Sequence, residues 1–207
     1  MVFHRQKKTK EHLLIGITET ATGLGATHLC ISLANYSASK LRKKTACLEL
    51  ADIKSFERLK LHLHFRNLSS KTAHDSFRIH DVDYYPNVQK ENIPLLINSG
   101  YEILILDFGM IHTDCLEELF RCDKKFLLCS NAPWRKTELI HCLSSYPQLK
   151  ELEFLLFMVS YGTKLDMAQF AFDCSISYGQ LCSIPFLPNP FHIEKDCFLF
   201  FKKLLLL

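Results

Sequence analysis

Long apolar runs are missing from this 207-residue chain, and none approaches the roughly 20 residues that a membrane-spanning helix needs. The opening stretch MVFHRQKKTKEHLLIGIT has no extended apolar core before its first glycine, so it does not read as a signal peptide. No C-x-x-C pair occurs among the nine cysteines; an odd, scattered set fits reduced thiols in a cytoplasm rather than a disulfide framework. A surplus of charge is lacking too: 25 Lys and Arg against 22 Asp and Glu leave +3, too mild to point to nucleic acid. Apart from His28, the histidines show no metal spacing, and His62 and His64 in HLH have no clustered partners, so neither zinc nor haem is expected. There is no G-x-S-x-G elbow and no cysteine in a recognisable nucleophile motif, which sets aside serine and cysteine hydrolases. The DFG at 107–109 lacks the glycine-rich loop, paired lysine and catalytic-loop motif that a kinase would add.

What is present is ordinary for a globular chain with one sizeable core: 48% of the residues are apolar and 23% charged. The simplest division is one domain over 1–207, with a basic N-terminal tail (1–11) and a terminal helix (194–207). Short apolar runs alternate with longer amphipathic stretches. HLLIGIT (12–18), TACLEL (45–50), YEILILDFG (101–109), KFLLCS (125–130), EFLLFMVS (153–160) and a short piece of YGQLCSIPF (178–186) read as strands. Helices are expected over 27–44, where Leu29, Leu33, Tyr36 and Leu41 recur at helical spacing, and over 114–122 and 134–146. NIPLLINSG (92–100) reads as another helix, closed by Gly100. Residues 52–76 mix a basic, helix-compatible segment with a polar loop. Near-continuous apolar strands alternating with helices predict an α/β fold, a doubly wound, mostly parallel sheet covered on both faces. The run ILIL at 103–106 belongs at its centre.

The stretch ETATGLGATHL (19–29) lies between the first strand and the first helix. In such a sheet ligands sit beyond the carboxyl ends of the strands, with phosphates at a helix N-terminus. Gly23 and Gly25 let the backbone approach a phosphate, and Thr27 places a hydroxyl at the start of the helix. A P-loop reads G-x-x-x-x-G-K-[ST], its amides wrapping phosphates and its hydroxyl binding magnesium. Ala26 stands where that lysine belongs. The same residues also fit a plain tight turn into a helix.

Together with YEILILDFG, FLLCSNAPWRKTEL and SIPFLPNPF, in that order, this stretch resembles the MinD/ParA group of P-loop ATPases. Within that group it is most similar to the divergent CpaE/TadZ-like branch associated with pilus assembly. The resemblance covers most of residues 12–200 and implies a Rossmann-like three-layer α/β/α P-loop NTPase fold. The family loop reads K-G-G-x-G-K-[ST]-[ST]. Ala21 replaces its signature lysine, Ala26 its second lysine and Thr22 its first glycine; Gly23, Gly25 and Thr27 match, and His28 takes the last hydroxyl position. The resemblance therefore assigns Gly23, Leu24, Gly25, Ala26, Thr27 and His28 to the phosphate. It assigns Thr27, Glu49 and Asp107 to magnesium, with Ala51 where a second carboxylate is usual and Gly109 matching the family glycine. Ser160 replaces an asparagine that contacts adenine, and Ile184, Pro185 and Phe186 match a loop that packs on the base.

Each residue also has a plainer reading. Thr27 serves as a magnesium ligand or a helix cap, and Asp107 as a metal-facing carboxylate or a cap of the following loop. Asp52 can take the place of Glu49 if the strand ends later. His28 either substitutes for lost positive charge or sits idle in the first helical turn. The resemblance implies a degenerate nucleotide-binding and assembly module in the cytoplasm that holds ATP or ADP with Mg2+ weakly and hydrolyses little or none. Its expected partners are proteins of a membrane-associated machine such as a pilus or secretion apparatus, or a second copy in a homodimer. The alternative is an active switch whose missing charge comes from Lys40, Arg42, Arg135 or a partner chain. The slight net charge argues against a DNA binder. The basic, apolar tail CFLFFKKLLLL fits peripheral contact with anionic lipid, but better a last helix docked on the sheet.

Overall fold

The computed structural model describes residues 12–65, 76–152, 155–159 and 163–206. The basic tail, Ser160 and the polar stretch 66–75 lie outside the described residues. Along the chain run β1 (Leu13–Glu19), α1 (Ala26–Leu41), β2 (Thr45–Glu49), α2 (Ser55–Phe65), β3 (Phe77–Ile79) and β4 (Val82–Tyr85). There follow α3 (Ile93–Ile97), β5 (Ile103–Met110), α4 (Thr113–Arg121), β6 (Lys124–Cys129) and α5 (Lys136–Ser145). The last elements are β7 (Leu155–Val159), α6 (Lys164–Cys174), β8 (Leu181–Ser183) and α7 (Phe198–Leu206).

The eight strands form one sheet in the order β3-β4-β2-β5-β1-β6-β7-β8. Every neighbouring pair is parallel except the β3–β4 hairpin. β5 lies between β1 and β2, and residues Ile103–Gly109 are all buried, as an unbroken apolar strand requires when helices cover both faces. Side chains alternate across the sheet. Leu104, Leu106 and Phe108 join one core with Leu119 of α4, Leu139 of α5 and Phe170 of α6. Ile103 and Ile105 join the other with Leu29 and Leu33 of α1 and Phe201 of α7. From β1 the chain turns to β2 on one side, and after β5 it crosses to β6 on the other. The carboxyl end of β1 is thus a topological switch point, where doubly wound sheets hold their ligands.

Several boundaries differ from the sequence expectations. α1 ends at Leu41, which is partly exposed, because Arg42 adopts a left-handed conformation there. The helix expected over 92–100 shrinks to Ile93–Ile97, and Gly100 lies beyond its cap at φ 75°. β8 keeps only Leu181–Ser183. The terminal segment docks: Phe201 and Leu204 are buried, and the Phe201 ring stacks on Tyr36 of α1 at 5.1 Å. No described helix is long and apolar enough to cross a membrane. All nine cysteines are free thiols, and all but Cys182 are buried.

Candidate functional site

The turn from β1 into α1 is built by two glycines in the left-handed region, Gly23 at φ 87° and Gly25 at φ 102°. Left-handed residues set among ordinary ones turn successive backbone N–H groups to one side, which makes an anion-binding nest at the positive end of a helix. The nest is filled. Glu19 Oε1 accepts from the Gly23 N–H at 3.1 Å, and Oε2 accepts from Leu24, Gly25 and Ala26 at 2.9, 3.0 and 3.2 Å. Glu19 is 4% exposed, and its backbone is clamped between Met110 of β5 and Leu128 of β6. The sequence reading missed this residue. The available signal was an acidic side chain closing the strand a few residues ahead of a glycine turn, with no lysine following.

The other two carboxylates lie at neighbouring strand ends. Asp107 is fully buried; its Oδ1 accepts from the Gly109 N–H at 3.1 Å, and its Oδ2 has no hydrogen-bond partner among the described residues. Burial pushes the Asp107 carboxyl up to about 6; the charge of Glu19 adds to the rise, while the Thr27 hydroxyl and the Gly109 N–H oppose it. Glu49 is buried and caps the start of α2, accepting from the Phe56 N–H at 3.0 Å, and its second oxygen has no partner. Burial raises its carboxyl as well, against the Phe56 N–H, with the nearby Asp107 adding to the rise. Glu49, and not the exposed Asp52, therefore faces Asp107.

Thr27, Glu49 and Asp107 are thus brought together, but with a different balance from the one expected. A phosphate and the Glu19 carboxylate cannot both use the same four N–H groups, so phosphate does not fit the loop as it is folded. Magnesium usually takes one or two carboxylates and completes its shell with waters and substrate phosphate. The orphan oxygens of Glu49 and Asp107 are suitable donors, yet among the described residues no group of three or more His, Cys, Asp or Glu could hold a metal ion. Fit to magnesium therefore depends on the phosphate that Glu19 displaces.

Beside the loop lies a cleft of about 540 Å³, walled by Gly23, Leu24, Gly25 and His28 on one side and Ile184, Pro185, Phe186 and Leu187 on the other. The residues matched to a base-packing loop thus do line the same cleft as the phosphate loop. Among the described residues no lysine or arginine lines it. His28 is turned away from the nest: its Nε2 meets the Leu187 carbonyl oxygen at 2.7 Å and ties the loop after β8 to α1. Of the cations considered as replacements, Lys40 and Arg135 have partners of their own and Arg42 lies at the far end of α1. Lys40 sits 4.9 Å over the Phe198 ring, Arg42 caps the far end of α1, and Arg135 pairs with Glu138 at 2.9 Å.

No protein-family model matches the chain, and no curated protein matches its sequence. The solved structures do match in fold. A plasmid partition protein from Borrelia burgdorferi B31, bound to AMPPNP, superposes with a TM-score of 0.63 at 14% identity, covering 95% of this chain and 97% of that one. MinD in the MinC:MinD complex of Aquifex aeolicus gives a TM-score of 0.60 at 14% identity, with 85% and 82% covered. A ParA family ATPase from Chlorobium tepidum TLS gives 0.58 at 10% identity, with 94% and 89% covered. The fold is that of the MinD/ParA P-loop NTPases: an eight-stranded, mostly parallel sheet between helices.

Proposed function

We propose that this chain is a non-hydrolysing module of the MinD/ParA fold that acts through protein contacts in the cytoplasm. The observation that carries the reading is that Ala21 and Ala26 occupy the two lysine positions, while among the described residues no lysine or arginine lines the adjoining cleft. Phosphoryl transfer depends on positive charge set against oxygens that gain charge in the transition state, and one such group is worth about 10³-fold or more. ATP or ADP, with or without magnesium, competes with Glu19 for the loop amides and is held weakly at best. The chain's own residues keep the loop folded, satisfy its amides and close the cleft; none of them moves a proton to or from a nucleotide.

The sequence resemblance to the CpaE/TadZ-like branch supports reading the module as part of a membrane-associated machine such as a pilus or secretion apparatus. A fold neighbour solved with a protein partner, MinD with MinC, is consistent with a role exercised by contact. Any homodimer of this chain would not depend on nucleotide, because the Ala21 methyl cannot reach across into a partner's loop. The test is phosphate release from Mg-ATP by the purified chain. The expected rate is background, unchanged by Asp107→Ala or Thr27→Ala. Robust turnover abolished by either substitution would establish instead an active switch whose charge comes from a partner chain.

A further inference from the structure

We infer that Glu19 is a resident anion: its carboxylate holds the phosphate position of the loop and closes it to phosphorylated ligands. The inference rests on the reading of this loop as a non-hydrolysing P-loop, and it names what took the place of the phosphate. Four consecutive amides, from Gly23 to Ala26, converge on one side chain. A carboxylate is the natural occupant of such a nest, since hydrogen bonds from N–H groups to an ionised acceptor are the strong ones. The acceptor is delivered by a backbone fixed on both flanks by sheet pairing, with Thr20 N–H bonded to Leu128 O and Ile111 N–H to Glu19 O, both at 2.9 Å. An anion tethered this closely competes at an effective concentration in the millimolar range or above.

Charge balance points the same way. A phosphate entering beside Glu19 would meet a second carboxylate at Asp107 and, among the described residues, no lysine or arginine in the cleft. With Glu19 in place the four amides are satisfied and the loop is ordered by the chain's own side chain. A module that presents this face to proteins, without a nucleotide cycle, needs a loop of that kind. The adjoining cleft is lined mainly by Leu24, Leu29, Leu128, Ile184, Pro185 and Phe186, so what it recognises is apolar and carries no phosphate.

The test compares the native chain with Glu19→Ala and Glu19→Gln by thermal denaturation in pyrophosphate, ADP or sodium chloride at matched ionic strength. The native midpoint is expected to ignore pyrophosphate and ADP. Glu19→Ala is expected to melt lower and to recover with millimolar pyrophosphate, binding it about tenfold or more tightly than the native chain does. Glu19→Gln, which presents one acceptor oxygen in place of two, falls between them. Should the variants fail to fold, the Gly23 and Gly25 amide resonances of the native chain decide the matter: they stay fixed as pyrophosphate is added. Native binding as tight as the variant's, movement of those resonances, or a folded Glu19→Ala with no anion-dependent gain overturns the inference. Native binding of pyrophosphate without hydrolysis overturns the resident anion alone, whereas ATP turnover overturns the functional reading on which it stands.

Discussion

Glu49 and Asp107 stand opposite each other in register on β2 and β5, and each keeps one buried carboxylate oxygen without a hydrogen-bond partner among the described residues. Burial disfavours the charged form of each, raising both carboxyls and taking Asp107 to about 6. A group whose proton is held more tightly in the folded than in the unfolded state stabilises the fold at low pH. That stability is lost as pH rises through the folded value. In magnesium-free buffer the chain should therefore lose stability between about pH 4 and pH 6, with Asp107 contributing about 3 kcal/mol. Asp107→Asn keeps the acceptor for the Gly109 N–H and removes the ionisation. It should flatten this part of the pH profile and melt above the native chain at pH 8. A steeper profile in the variant would contradict the assignment.

Gly109 and Ala51 form a second pair at the same strand ends. Gly109 sits at φ 60°, and a Cβ there would lie 2.7 Å from the Ala51 Cβ. Ala51 thus packs where a side chain at position 109 would begin. Gly109→Ala combines left-handed strain with overpacking and should lower stability by about 3 kcal/mol. Gly25→Ala meets only one side-chain atom, at 4.0 Å, and should lower it by about 1–2 kcal/mol through the backbone alone. Adding Ala51→Gly should recover part of the Gly109→Ala loss and none of the Gly25→Ala loss. Chemical denaturation of the five proteins provides the comparison.

The parallel core was legible because its strands are apolar runs with helical periodicity between them; Ile103–Leu106 could not be solvent-facing on either side. The β3–β4 hairpin was not legible. Its strands are three and four residues long and bury Asp83, whose carboxylate is paired with Arg78 at 2.6 Å and accepts from the Tyr101 hydroxyl at 2.9 Å. Arg78 faces Asp83 only once the hairpin has paired, and Tyr101 comes from elsewhere in the fold, so local pattern gives no hint of burial. The turn between β1 and α1 was legible from Gly23 and Gly25, because spacing and backbone freedom are local properties. The role of Glu19 was not, because it depends on where four amides point once the turn has formed. The isolation of Lys40 from the loop likewise follows only from seeing it over Phe198.

His28 supports the cleft rather than any ligand in it. Its Nε2–H donates to the Leu187 carbonyl across 159 residues of sequence, holding the segment after β8 against α1. His28→Ala removes a net contribution of about 1 kcal/mol, which corresponds to roughly fivefold more frequent local opening. Amide hydrogen exchange across residues 184–192 should accelerate by that factor, while β5 and β6 exchange as before. Acceleration spread evenly over the sheet would mean that His28 carries global stability instead.

The terminal helix provides the last contrast, between a docked face and an exposed one. Phe201 is completely buried and stacks on Tyr36, while Phe198 approaches the same Tyr36 ring edge-on at 5.7 Å. Leu199 is 61% exposed on the opposite side, beside Lys202 and Lys203, which are also exposed. If α7 is part of the core, Phe201→Ala leaves a cavity beneath α1 and should lower stability by about 3–5 kcal/mol. Leu199→Ala should change it by no more than about 0.5 kcal/mol. Both variants should sediment with anionic vesicles no more than the native chain does, because the aromatic residues that would enter lipid are already packed on Tyr36. Strong vesicle binding by the native chain, lost in Leu199→Ala but kept in Phe201→Ala, would reverse the assignment and make the exposed face a lipid-contacting one.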